Sequence, residues 1–190
     1  MKGNWPGQGA LENDGFTIVE TSICTLLILV AGSVALLNIN AILPRIQANT
    51  ALAQTVAQVR RGREVAISQR RNVEIRFLGT NQIQLVRRDE PAGETILDTH
   101  TFDNGFEFLL SEGTPDTPDR FGNSGALDFG GKSPVVFQSD GTLVDPTGNP
   151  LNGSIFVGLA GHPETARAVT ILGSTGRVRG YQWTGTDWVH

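Results

Sequence analysis

From Phe16 to Leu43 the chain reads FTIVETSICTLLILVAGSVALLNINAIL, with Glu20 its only charged residue. As an α-helix these positions extend about 42 Å at ~1.5 Å per residue, more than a bilayer core of ~30 Å. A segment of that length can span a membrane and project beyond it. An ordinary secretory signal fits poorly. Its apolar region runs about 7–15 residues and ends in a small-residue cleavage site, whereas Asn38, Asn40, Pro44 and Arg45 stand here. The expectation is a membrane-spanning helix over 16–43, preceded by a polar, Gly-rich segment over 1–15.

Glu20 needs a partner, because a carboxylate near the start of a membrane helix is costly to leave unpaired. The helix N-terminus offers partial positive charge. Cleavage after Gly15 would add a full one, the free α-amine of Phe16, four residues from Glu20. In an assembly, Glu20 of one subunit can pair with the Phe16 amine of a neighbour. The plainer reading is a membrane-edge Glu reaching to the headgroups. Cys24, inside the apolar run, reads as a small packing residue.

Beyond Leu43, Pro44 lacks an amide hydrogen and should kink or interrupt the helix. Ala48, Leu52, Val56, Val59, Ala66 and Ile67 then follow a spacing near 3.6, with Arg60, Arg61, Glu64, Arg70 and Arg71 on the polar side. Residues 44–71 thus form an amphipathic helix whose apolar stripe seats a sheet; a basic helix on a membrane surface is the alternative. From Asn72 the period changes to two. Val73, Ile75 and Phe77 alternate with Glu74 and Arg76, and Gly79-Thr80-Asn81 turns the chain into Gln82–Arg88. Further strands are expected at 94–102, 106–110, 134–138, 141–144, 154–159, 168–172 and 178–183. Residues 111–133 form a long Gly/Pro/Asp loop, functional or mobile. A helix followed by strands, rather than alternating with them, is an α+β arrangement with an antiparallel β-sheet head over 72–190.

Charge divides along the same line. Residues 45–76 hold seven arginines against two acids, and residues 77–190 hold seven basic against fourteen acidic residues. A basic stem and an acidic head suit assembly contacts better than an enzyme cleft. One Cys excludes an internal disulfide framework, and His100, His162 and His190 show no metal-ligand spacing. Gly130-Gly131-Lys132-Ser133 lacks the earlier Gly of a phosphate loop, since position 126 is Ala. Gly122-Asn123-Ser124-Gly125 has no strand–helix frame for a nucleophile. Asp116, Asp119, Asp128, Asp140 and Asp145 lack the order of a calcium loop. No catalytic residue, metal site or cofactor is expected. Arg177 and Arg179 would share one face of a strand about 7 Å apart, a spacing that can meet successive phosphates. Tyr181 would continue that face as a stacking platform. The competing reading is ordinary cross-strand pairing to Asp or Glu, favoured by the acidic head.

Gly15-Phe16-Thr17-Ile18-Val19-Glu20 ahead of the apolar run resembles the prepilin processing motif of type IV pilins and type II secretion pseudopilins. Val65-Ala66-Ile67-Ser68 leading into Asn72-Val73, the Val136–Gly141 turn and the Thr170–Arg179 hairpin are similar to the GspH/FimT group of minor pseudopilins and minor pilins. The resemblance implies a leader peptide over 1–15, cut by prepilin peptidase between Gly15 and Phe16, with N-methylation of Phe16 and a role for Glu20 in assembly. It implies a non-enzymatic subunit, single-pass in the bacterial inner membrane with its head in the periplasm. Its partners would be other pilin or pseudopilin subunits and the inner-membrane assembly platform. The leader departs from family usage: Lys2 is its only base, and Glu12 and Asp14 stand near the cut, a weak positive-inside bias. Some FimT-like minor pilins carry a Gly-Arg-x-Arg element like Gly176–Arg179 that is implicated in DNA uptake, so the alternative function is DNA binding through Arg177 and Arg179.

Overall fold

The computed structural model describes residues 16–89 and 91–190, and their side chains except at 34–41. The chain divides into two compact units, Met1–Ala41 and Ile42–His190. Helix α1 spans Ile18–Gln69. Thr17 caps it: its Oγ1 accepts the Glu20 amide at 3.1 Å and its carbonyl accepts the Thr21 amide at 3.0 Å. Pro44 lies inside α1 and does not interrupt it, contrary to expectation. A mid-helix proline removes one hydrogen bond and costs about 3 kcal/mol. Burial of Ala48, Ala51, Thr55 and Val59 in the next turns offsets that cost. The helix ends where Arg70 takes φ 51°. The Arg71 amide then reaches back to the Ala66 carbonyl and the Arg70 amide to the Ile67 carbonyl, a C-terminal cap more often built on glycine.

The buried line of α1 is Ala48, Ala51, Thr55, Val59, Gly62 and Ala66, at intervals of three and four. Leu52 and Val56, expected at the centre of the stripe, flank it half-buried, and Ile67 is 40% exposed. The centre is small because the sheet comes close: a Cβ at Gly62 would stand 3.1 Å from Leu85 Cδ2.

The strands are β1 (Val73–Leu78), β2 (Gln82–Arg88), β3 (Glu94–Thr101), β4 (Phe106–Phe108), β5 (Leu127–Asp128), β6 (Val135–Phe137), β7 (Leu143–Val144), β8 (Gly153–Leu159), β9 (His162–Leu172), β10 (Arg177–Trp183) and β11 (Trp188–Val189). They form two antiparallel sheets rather than the single sheet expected. One has the order β3-β2-β1-β6-β7, the other β11-β10-β9-β8-β4, with β5 also on β8. The hairpin foreseen from alternation is present, with β1–β2 pairing Ile75 with Leu85, and so is the one the resemblance implied, with β9–β10 pairing Leu172 with Arg177.

The principal core brings α1 against both sheets. Val73, Ile75, Ile83, Leu85 and Phe137 come from the first sheet, and Ile155, Val157, Val169, Ile171 and Val178 from the second. The alternate positions of the second sheet make a smaller cluster, Phe156, Ala168 and Tyr181, with Leu110 and Trp188 against it. The loop over 111–133 packs on this second cluster. Pro115 accepts the Trp188 indole N–H at 2.9 Å, and Asp119 accepts the Thr170 hydroxyl at 2.6 Å. The loop holds its shape by turning carboxylates onto backbone amides: Asp116 onto Thr117 and Gly122, Asp128 onto Ser124 and Gly130.

Candidate functional site

Gly15 lies outside the described residues, so the expected cut is approached from Phe16 onward. Phe16 is 78% exposed and Ile18 87%. Val19, Ile23 and every residue from Leu26 to Val30 are exposed as well, so the apolar surface runs around the helix rather than along one side. The hydroxyls in this stretch bond inward. Thr21 donates to the Thr17 carbonyl, Ser22 to Ile18, Thr25 to Thr21 and Ser33 to Val30, at 2.7–3.0 Å. Polar groups satisfied within their own helix leave a surface that demands nothing from water. The Glu20 carboxylate is the exception: it makes no hydrogen bond or ion pair among the described residues. Cys24 is exposed among these apolar residues. Among the described residues no helix is long and apolar enough to cross a membrane. The expected span over 16–43 includes 34–41, whose side chains lie outside them.

Arg177 and Arg179 fall on one face of β10, with buried Val178 between them on the other. Their surroundings differ. Arg177 is exposed and its guanidinium has no partner among the described residues. Arg179 pairs with Asp119, Nη1 to Oδ1 at 3.0 Å. The same carboxylate accepts the Tyr181 hydroxyl at 2.9 Å as well as that of Thr170. Burial pushes the Asp119 carboxyl up, but the bonds from Thr170 and Tyr181 and the charge of Arg179 outweigh it and hold the group below the usual carboxylate range. Tyr181, expected as a stacking platform, is only 4% exposed and belongs to the second core cluster. β10 thus presents one free guanidinium, not two with an aromatic beside them.

Two residues that matter here escaped the sequence pattern. Asp119 stood among loop acids with nothing to mark it as a clamp 60 residues from Arg179. Arg167 is buried at 4% exposure without a carboxylate. Its guanidinium donates to Asn49 Oδ1 at 2.9 Å and to the carbonyls of Ala166, Glu164 and Arg45. Burial, then the nearby Arg45 charge, pushes its pKa down. It fastens β9 to α1. Gly131-Lys132-Ser133 leads into β6 rather than a helix. Among the described residues no group of three His, Cys, Asp or Glu side chains is arranged to hold a metal ion.

The fold is pilin-like. It is similar to the minor pseudopilin EpsH from the Type 2 Secretion System of Vibrio cholerae, with a TM-score of 0.50 and 14% identity, over 72% of this chain and 97% of that one. It is likewise similar to the type IV minor pilin FimU of Pseudomonas aeruginosa, with a TM-score of 0.51 and 17% identity, over 77% of this chain and 95% of that one. No family model matches the chain, and no curated protein matches its sequence.

Proposed function

We propose that this protein is a minor pilin-like subunit of a type II secretion system or type IV pilus, and that it acts by assembling rather than by catalysis. The observation that carries the reading is the helix start. A capped helix with inward-bonded hydroxyls exposes apolar side chains on all sides and leaves one carboxylate, Glu20, unpaired. A bilayer would cover such a helix before assembly, and neighbouring helices would cover it afterwards. Prepilin peptidase would cut between Gly15 and Phe16 and methylate the new amine, and the amine would meet Glu20 of the next subunit. The pilin-like fold supports this reading, with the head in the periplasm and the helix in the inner membrane. DNA uptake through Arg177 and Arg179 is the weaker reading, because Asp119 already occupies Arg179.

Substitution tests the role of Glu20. Glu20→Ala removes a charge from an apolar segment, so membrane insertion should be retained while incorporation into filaments falls. Membrane fractionation and co-sedimentation with sheared filaments, beside wild type, separate the two steps. Undiminished incorporation would remove Glu20 from the assembly contact.

A further inference from the structure

Within the unit Ile42–His190, β10 runs beside α1 in the opposite direction. A Cβ at Gly176 would meet Arg63, and one at Gly180 would meet Leu52 and Val56. Between those levels the Val178 carbonyl accepts Arg60 Nη2 at 3.4 Å. From Gly176 to Gly180 the strand covers about 13 Å, and from Arg63 to the level of Leu52 and Val56 the helix covers about the same. The next level is fixed directly. Gln182 pairs with Arg167, whose guanidinium reaches Asn49 Oδ1 at 2.9 Å and the Arg45 carbonyl at 3.5 Å. Trp183, the last residue of β10, therefore stands level with about residues 45–49 of α1. Ile42, Leu43 and Ile46 are exposed at that end of the unit, and so is Arg45, in no ion pair among the described residues. From Leu43 the sequence leads back into the apolar run, where the edge of a bilayer would fall.

Trp183 lies on the face of β10 turned away from α1 and pairs across to Trp188 of the edge strand β11. Their ring centroids are 5.3 Å apart at 57°. Trp188 is held from behind: its indole N–H donates to the Pro115 carbonyl at 2.9 Å, and its ring stands 6.1 Å from that of Phe156. Trp183 has no such tie. Its ring is half-buried, and its indole N–H makes no hydrogen bond among the described residues. The turn between the two tryptophans is closed on itself. The Thr184 amide donates to the Asp187 carbonyl at 3.0 Å, and Thr184 Oγ1 accepts the Asp187 amide at 3.1 Å. Asp187 is the only charged residue of that turn and is in no ion pair among the described residues. A fixed indole with an apolar body and an unused N–H is the side chain that membrane–water interfaces collect, the ring at headgroup level and the N–H on a polar atom.

We infer that the Trp183–Trp188 corner of the head rests on the membrane surface, with the Trp183 ring in the headgroup layer of a zwitterionic phospholipid bilayer and its N–H donated to a lipid oxygen. Trp188, kept in place by Pro115 and Phe156, supports that ring from within the sheet. The lipid is zwitterionic because an anionic surface would repel Asp187, the one charge of the turn. The level decides the occupant: the corner stands beside the stretch of α1 where the apolar run gives way to Pro44 and Arg45, and a bilayer covering that run presents its headgroups there. A contact away from the α1 axis restrains the head from turning about that axis. The contact rests on the assembly reading above, since it needs the apolar run in a bilayer, and it gives lipid as the partner of a surface that α1 does not supply.

The test uses the full chain carrying Trp5→Phe, so that only Trp183 and Trp188 emit. The protein is reconstituted into phosphatidylcholine vesicles whose acyl chains bear bromine close to the headgroup, and vesicles with bound protein are collected by flotation. Bromine quenches an indole only at close range, so emission should fall well below that in unbrominated vesicles of the same lipid. Bromine placed near the chain ends should quench less. Trp183→Phe should remove most of the quenching, because Trp188 is covered by Pro115 and Phe156. Exchanging half of the lipid for phosphatidylglycerol should weaken the quenching at low salt, where repulsion of Asp187 is least screened. Protein that floats with the vesicles but is not quenched overturns the contact and leaves the assembly reading standing. Quenching that survives Trp183→Phe undiminished, or that rises with phosphatidylglycerol, also overturns it. Protein that does not float at all overturns the contact together with the membrane helix on which the assembly reading depends.

Discussion

Replacing Asp119 with Ala should release the 111–133 loop from the second sheet. The carboxylate is 10% exposed and accepts three bonds, from Thr170, Tyr181 and Arg179. Thr170 and Tyr181 are at 1% and 4% exposure, so their hydroxyls would stay buried without an acceptor. Each such orphan costs about 1–1.5 kcal/mol, at the low end for buried polar groups. Arg179 is 39% exposed and recovers water, so the loss of its ion pair adds little. The total is about 2–3 kcal/mol, which in a domain of this size lowers the melting temperature by roughly 4–12 °C. Circular dichroism melts would read it, with Asp140→Ala as control because that carboxylate is exposed and bonds only to Thr142, two residues away. The pH dependence gives a second check. Asp119 is held below its ordinary value when folded, so its stabilisation is present above the unfolded carboxylate pKa, about 3.9. It is lost as pH falls through the lower folded value. The deficit of Asp119→Asn should therefore shrink below about pH 4. A melt for Asp119→Ala within about a degree of wild type would refute the clamp.

Two further substitutions probe the same corner of the fold. Gly176→Ala should destabilise by about 2–4 kcal/mol, read as a lower denaturant midpoint, because a positive φ and overpacking each cost. Gly176 has φ 62°, and its Cβ would stand 2.2 Å from the Gly141 carbonyl oxygen; a midpoint equal to wild type would contradict that close approach. Arg177→Gln should leave the melting temperature at the wild-type value, whereas Arg179→Gln, which strips Asp119 of its ion-pair partner, should lower it. Equal effects in thermal melts would mean that Asp119 does not distinguish the two arginines.

The first hairpin and most of the strands were legible because alternation is a local property: Val73, Ile75 and Phe77 face one way whatever lies beneath them. The centre of the α1 stripe was not. Thr55 and Gly62 are buried because the sheet approaches closely, and neither residue advertises burial by its hydrophobicity. Two-residue strands such as β5 and β11 carry no period at all. Their pairing depends on β8 and β10, which supply the other edge. Division into two sheets is equally non-local, since the same alternating strands could have closed into one. The site divides in the same way. Phe16 and Glu20 stand out in sequence because a charge at the head of an apolar run is rare. That Arg177 is free and Arg179 taken depends on Asp119, which the fold brings from a distant loop.

The central claim is that this chain is handled as a pilin-like subunit, and intact-mass analysis of the protein extracted from membranes with active prepilin peptidase tests it most directly. The account predicts a chain that begins at Phe16, lacks residues 1–15 and carries one added methyl group on its new amine. Gly15→Ala should leave the leader in place, because the position before the cut needs a small, flexible residue. A wild-type chain that still begins at Met1 in that host, with the peptidase processing its other substrates, would contradict the account.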